Sequence, residues 1–269
     1  MLDEGEVKPM DFHERTVVIT GGAKGIGAAA ARTFSAKGAS VAILDLNVEA
    51  GQPLARELGN AIFLSTDITK SNEVQAAVGE VVSTFGALHV LVNSAGVLFQ
   101  RRLEETSDED WERVLGVNLK AAFLTSRAAI PVMRRSGGGA IINVASVHAL
   151  RTMRDHCAYA ASKGGLVSLT QSIGLEYAQE HIRAVAILPG ATHTPMMEES
   201  LTRISGVSMD EGLRAMGERL PMGRVADAQE IANVIVFASS SEASFITGSA
   251  IIVDGGVASG LPSLPKMIG

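Results

Sequence analysis

The chain reads as a doubly wound α/β domain on three features. Short β-branched runs alternate with longer helical patterns, the runs are apolar almost throughout, and a glycine-rich turn joins the first run to the first helix. Half-exposed antiparallel strands alternate apolar and polar residues. A run apolar at nearly every position is buried on both faces, as in a parallel sheet covered by helices. With 269 residues, 46% of them apolar, one domain can bury a substantial core.

Strands are expected at 16–20, 40–44, 61–64, 88–93, 140–144, 183–188 and 250–253, about seven in all. Between them, helical periodicity covers 26–37, 48–58, 71–84, 108 to about 135, 158–179 and 227–238. Ser107, with Asp110 three residues on, predicts a capping box at the start of the long helix. Pro53 and Pro131 fall inside two helical patterns and leave the ends of those helices open. Residues 194–222 are Met-rich with little strand character and are expected to leave the sheet and cover the substrate. The domain is expected to span 15–257, between an N-terminal extension at 1–14 and a Gly/Pro-bearing tail at 258–269.

The net charge of −6 argues against general attraction to nucleic acid or anionic membranes. Cys157 is the single cysteine, which excludes an internal disulfide and a cysteine-based metal cage and suits a reducing compartment. No uninterrupted apolar stretch reaches the roughly 18 residues that span a bilayer. The first fifteen residues lack the basic start and apolar run of a secretory signal, so a soluble cytoplasmic protein is expected.

After the first strand comes Thr20-Gly21-Gly22-Ala23-Lys24-Gly25-Ile26-Gly27, opening into an Ala-rich helix. Glycines there let the backbone approach a pyrophosphate, whose charge meets the amides at the helix start. Asp45 ends the second strand eighteen residues past Gly27, where a carboxylate accepts from an adenosine ribose and repels a 2′-phosphate. NAD is therefore expected over NADP, against the contrary signal of Lys24 in the turn. Asp67, followed by Ile68, follows the third strand and is a candidate for the adenine, or an ordinary loop aspartate. Asn93-Ser94-Ala95-Gly96 puts small residues at the carboxyl edge of the fourth strand, where such folds bind ligands.

Ser146 follows the fifth strand, Tyr159 comes thirteen residues later, and Lys163 four after that. Residues four apart share a helix face. A phenol is a weak base at neutral pH, since its ordinary pKa is about 10. A nearby ammonium and a positive nicotinamide favour the phenolate. Tyr159 can then exchange a proton with a carbinol or carbonyl while hydride moves, and Ser146 can hold the substrate oxygen.

Together these segments resemble the short-chain dehydrogenase/reductases, over about 15–257. The resemblance adds Asn118, Pro189-Gly190 with Thr192 and Thr194, and Asp254-Gly255-Gly256, all in family order. It implies a Rossmann-type, seven-stranded parallel sheet, NAD(P)-dependent alcohol/carbonyl interconversion and an Asn118-Ser146-Tyr159-Lys163 tetrad. In the family the asparagine sits at a kink in the long helix and holds a water beside the lysine, which also binds the nicotinamide ribose. Pro189, Gly190, Thr192 and Thr194 match the segment supporting the nicotinamide. Homotetramers built on the long helices are the family's habit. Ser94 and Ala145 depart from the pattern, standing where a second asparagine and a second serine are frequent.

His148, Arg151, Arg154, His156 and His193 gather near the matched positions and suit a polar or polyhydroxylated substrate, with His148 and His193 the candidates for contact. Arg151 and Arg154 also read as solvated or at a subunit contact, and His156 as a cap on local backbone. Sugars, polyols, steroids and hydroxy acids all remain open as substrates. A dinucleotide-binding protein without catalysis would have lost tetrad members. Enoyl-reductase relatives usually alter the serine and the Tyr–Lys spacing, and this chain keeps both.

Overall fold

A computed structural model of the protein describes residues 10–202 and 208–259. The first nine residues of the extension, 203–207 of the excursion and 260–269 of the tail lie outside the described residues. In chain order the elements are β1 (Thr16–Thr20), α1 (Gly25–Ala36), β2 (Ser40–Asp45), α2 (Val48–Leu58), β3 (Ala61–Ser65), α3 (Ser71–Phe85) and β4 (Val90–Asn93). There follow α4 (Asp108–Leu115), α5 (Ala121–Arg135), β5 (Gly139–Val144), α6 (Cys157–Glu176) and β6 (Ile182–Pro189). The chain continues through β7 (Thr192–His193), α7 (Pro195–Thr202), α8 (Met209–Gly217), β8 (Ala226–Asp227), α9 (Ala228–Ser239) and β9 (Ser249–Val253).

Among the described residues, seven strands form one parallel sheet in the order β3-β2-β1-β4-β5-β6-β9. Neighbouring residues along a strand face opposite layers, and both layers are covered. Val17, Ile19, Val41 and Ile43 pack with Phe34 of α1, Leu54 of α2 and Ile235 of α9. Val18, Ala42, Leu44 and Leu91 pack with Val78 of α3, Met133 of α5 and Ile173 of α6 on the other side. That two-sided burial is why the strands read as unbroken apolar runs. Strand order reverses between β1 and β4, so the crevice at their carboxyl ends is where such a sheet binds ligands.

Two local expectations need correcting, and one open point is resolved. The long helix predicted from 108 is two helices joined by a π-turn over Gly116–Lys120, because Ala121 N–H donates to the Gly116 carbonyl five residues back. Only half of the predicted capping box forms: Ser107 Oγ accepts from Asp110 N–H, while the shorter Asp110 carboxylate accepts from Arg113 instead of reaching back. Pro53 and Pro131 end nothing, and α2 and α5 run through them. Phe12, placed by sequence in the extension, is buried edge-on against Phe34, their ring centroids 4.9 Å apart.

Beyond β6 the excursion carries α7 and α8, and β7 pairs with β8 through Thr192↔Ala226 and His193↔Asp227. No described helix is long and apolar enough to cross a membrane.

Candidate active site

β1 delivers the chain into the crevice through Gly21, whose N–H donates to the Leu44 carbonyl at 2.9 Å. The turn is packed so tightly that side chains do not fit. A Cβ on Gly27 would lie 2.2 Å from the Gly21 carbonyl oxygen, and one on Gly21, at φ 62°, 2.6 Å from Ala95 Cα. Gly25 and Ile26 open α1, and Ile26 packs onto the core. The first amides of a helix lack an internal acceptor, so this bare cradle suits a pyrophosphate. Lys24, the N-cap residue, is exposed and makes no side-chain capping bond.

Asp45 is held at the tip of β2, accepting from Ala23 N–H at 3.0 Å and Asn47 N–H at 2.9 Å. It thereby joins the second strand to the glycine turn. Asp67 accepts from Thr69 N–H and Oγ at 3.0 and 2.6 Å and pairs with Lys70 at 3.3 Å. The Thr69 hydroxyl is the main cause holding its carboxyl below the usual range. Ile68 beside it is half-buried.

Asn93 lies at the expected strand end, but its side chain turns inward. Its Oδ1 accepts from Thr125 Oγ at 2.7 Å, and its Nδ2 donates to Asn143 Oδ1 at 2.8 Å. Asn143 donates onward to Thr170 Oγ, which donates to the Leu166 carbonyl. This buried chain ties α5, β4, β5 and α6 together. Ala95 N–H donates to Thr20 Oγ at 3.3 Å, closing β4 onto β1. A Cβ on Gly96 would come within 3.3 Å of both Asn118 Oδ1 and Lys163 Nζ.

The four tetrad residues converge from the π-turn, the end of β5 and α6, and all four are buried. Lys163 Nζ donates to the Val144 carbonyl at 2.9 Å and lies 5.7 Å from the Tyr159 ring centroid. Full burial pushes its ammonium down to about 8. Burial also raises the Tyr159 phenol above its ordinary value, and the hydrogen bond with Ser146 opposes that. Lys163 is not among the causes of the Tyr159 shift, whose direction is set by desolvation of the phenolate. Ser146 Oγ accepts from His148 N–H at 3.2 Å, which starts a short 3₁₀ turn.

Asn118 spends its whole amide on neighbours. Oδ1 accepts from Val97 N–H at 2.8 Å, and Nδ2 donates to the Val97 carbonyl at 3.0 Å and to Ser162 Oγ at 3.1 Å. Ser162 in turn donates to the Tyr159 carbonyl at 2.7 Å. The π-turn is thereby stitched to the first turn of α6.

Pro189 ends β6 beside Val253, and Gly190 N–H donates to the Val253 carbonyl at 2.9 Å. Thr192 Oγ donates to the Gly190 carbonyl at 3.1 Å. Thr194 starts the cover, its carbonyl accepting from Met197 and Glu198 N–H. Its methyl group would be 3.4 Å from a Cβ on Gly25, so the segment overlies the glycine turn.

Of the five cationic and imidazole candidates, two meet Tyr159. The His148 ring stands edge-on to it at 5.4 Å and is tilted against His156 at 4.6 Å. Burial, then the neighbouring His156, pushes the His148 imidazole down to about 4. His156 is buried, with Nδ1 donating to the Arg154 carbonyl at 2.6 Å and Nε2 facing Gln100 Nε2 at 3.0 Å. Arg151 and Arg154 are exposed, and half-exposed His193 pairs with Glu198 at 2.9 Å.

Thr125, Asn143, Thr170 and Gln100 carry this site without belonging to any motif named from sequence, and Ser162 lies inside the Tyr159–Lys163 motif with no role of its own read there. One signal was available: Asn143 is a lone amide inside the apolar run 140–144.

A family model described as enoyl-(acyl carrier protein) reductase matches residues 21–258. An uncharacterized oxidoreductase of Thermotoga maritima is 39% identical over 252 residues, 92% of this chain and 98% of that one. Cyclohexanol dehydrogenase of Acinetobacter sp. strain SE19 is 37% identical over 249 residues, 91% of this chain and 95% of that one. The crystal structure of levodione reductase superposes with a TM-score of 0.88 at 31% identity, covering 93% of this chain and 100% of that one.

Proposed function

The chain belongs to the short-chain dehydrogenase/reductase family, and we propose that it is an NAD-dependent dehydrogenase interconverting a secondary alcohol and a ketone, with Tyr159 as its acid/base. The observation carrying this reading is the convergence of Ser146, Tyr159 and Lys163, buried together beside Asn118.

Bound nicotinamide dinucleotide supplies the hydride acceptor or donor. Gly21, Gly25, Ile26 and Gly27 would receive its pyrophosphate and Asp45 its adenosine ribose. Asp67 and Ile68 would flank the adenine, while Asn93, Ala95, Gly96, Pro189, Gly190, Thr192 and Thr194 would line the rest of its path. Ser146 holds the substrate oxygen against Tyr159. During alcohol oxidation Tyr159 takes the hydroxyl proton. Lys163, whose burial makes its proton easier to give up, supports the phenolate and passes the proton onward beside Asn118.

Asp45, fixed by two backbone amides and facing the glycine turn, supports NAD over NADP, with exposed Lys24 the opposing feature. The similarity to a cyclohexanol dehydrogenase supports a carbinol on or near a ring, and His148 and His193 favour a polar one. The description of the matched family model names enoyl reduction, but the intact Ser146 and Tyr159–Lys163 spacing favours carbinol chemistry. We further propose a cytoplasmic homotetramer joined through α4–α5 and α6, where Phe123 and Leu175 are exposed.

The test is NADH production with a panel of secondary alcohols by wild type and Tyr159→Phe. The variant should lose turnover by about 10²-fold or more while binding NADH as before. Substantial residual activity refutes the role of Tyr159, and faster turnover with NADP refutes that of Asp45.

A further inference from the structure

Among the described residues two hydrogen bonds join α6 to β5, and they leave from neighbouring residues of the strand. The Val144 carbonyl accepts from Lys163 Nζ at 2.9 Å, and the Asn143 amide meets Thr170 Oγ at 2.8 Å. Lys163 and Thr170 are seven residues apart, so they lie on one face of α6, about 10 Å apart along its axis. The first bond belongs to the site. The second lies two helical turns below it, and both its side chains are buried.

The two bonds differ in what they can hold. Lys163 reaches Val144 on a long flexible stem, which follows the helix wherever it settles. Asn143 and Thr170 are short, so their bond forms only at one register of helix on strand. That bond is anchored at both ends. Asn143 pairs with Asn93, directly opposite it in the β4–β5 register, at 2.8 Å, and Asn93 with Thr125 of α5 at 2.7 Å. Thr170 Oγ also bonds the Leu166 carbonyl at 2.7 Å, one turn back toward Lys163. The remaining tie near Lys163, Asn118 to Ser162, runs to the π-turn and not to the strand that carries Val144 toward Ser146.

We infer that Asn143 and Thr170 are positioning residues for the proposed reaction: they set the register of α6 on β5 that brings Lys163 to the Val144 carbonyl and Tyr159 to Ser146. Neither belongs to the tetrad or to the cofactor's path. The inference rests on the reading of Tyr159 and Lys163 as the pair that handles the proton.

The experiment compares Thr170→Val, which keeps the shape and removes the hydroxyl, with Thr170→Ser, which keeps the hydroxyl and removes a methyl group. Both are assayed as the full chain on a secondary alcohol that wild type oxidises. Thr170→Val should lower kcat about tenfold, as a misplaced catalytic pair does. It should also move the pH of half-maximal kcat by about half a unit, because Lys163 no longer keeps its carbonyl acceptor. Thr170→Ser should keep kcat within about threefold and the wild-type pH profile, although the lost methyl lowers its Tm. Thr170→Ala, which loses both groups, should be as slow as Thr170→Val and serves in its place if the valine variant does not fold. A merely structural role would make kcat follow Tm across the variants and leave the pH profile where it was. That pattern, kcat of the hydroxyl-less variants within about twofold of wild type, or Thr170→Ser as slow as they are, overturns the inference. Failure of the parent reading shows separately, as activity persisting in Tyr159→Phe.

Discussion

Replacing Asn118 by Ala should cost both stability and catalysis, and the two losses can be worked from the same three bonds. The substitution removes the acceptor for Val97 N–H and the donors to the Val97 carbonyl and Ser162 Oγ. At about 0.5–1.5 kcal/mol each, the three sum to about 1.5–4.5 kcal/mol. For a domain of this size that is a fall in Tm of about 3–18 °C, readable by calorimetry. Catalysis should suffer further because Ser162, freed on one side, no longer ties the Tyr159 carbonyl to the π-turn. A misplacement on the ångström scale costs up to about 10²-fold, so kcat should drop on the order of tenfold or more. NADH affinity, set mostly at the glycine turn, should change little. A Tm within about 1 °C of wild type, with kcat within about twofold, would refute the reasoning.

Gly27→Ala should weaken NADH binding and destabilise the fold by about 1–3 kcal/mol, because its Cβ would overlap the Gly21 carbonyl and the backbone must move. Gly79→Ala, which meets nothing within 4 Å in a helix, should instead stabilise by about 0.5–1 kcal/mol, and paired melting curves with NADH titrations check both. His148 is held near 4 in the folded chain against an ordinary 6.5, so the unfolded chain takes up the extra proton first. Its contribution to stability is complete above about pH 6.5 and is lost as pH falls toward about 4. Tm measured from pH 7 to 4 should therefore decline less steeply in His148→Phe than in wild type, and parallel curves would contradict the assignment.

The sheet was legible because its physics is local: Val17-Val18-Ile19 and Ala184-Val185-Ala186-Ile187 are buried on both faces, which makes short runs apolar throughout. The glycine turn was legible because backbone crowding there excludes side chains. Asn118, Ser146, Tyr159 and Lys163 could be named from spacing and family order, but not what they touch. The Asn93–Asn143–Thr170 chain joins residues 50 and 27 positions apart. Single-residue reading carries no signal for pairings of that kind. Helical periodicity likewise does not register one extra residue, so the π-turn carries the same sequence pattern as a helix. The partnership of His148 with His156 depends on a loop where Asp155 takes a left-handed φ of 66° and its carbonyl accepts from Arg101 N–H.

The π-turn also acts as a phase shifter. Each residue advances an α-helix by about 100°, so one extra residue sets α5 a quarter-turn and more away from the direction in which α4 would have continued it. On α4, Trp111 and Val114 pack toward Phe99 and Ala158, while on α5, Thr125, Ala129 and Met133 meet the sheet. Deleting any single residue within 116–120 would leave an uninterrupted helix of good local geometry whose second half presents Phe123 or Arg127 to the core in place of its apolar stripe. The segment is thus constrained in length as tightly as in composition, and natural variation in it should appear as substitution far more readily than as insertion or deletion.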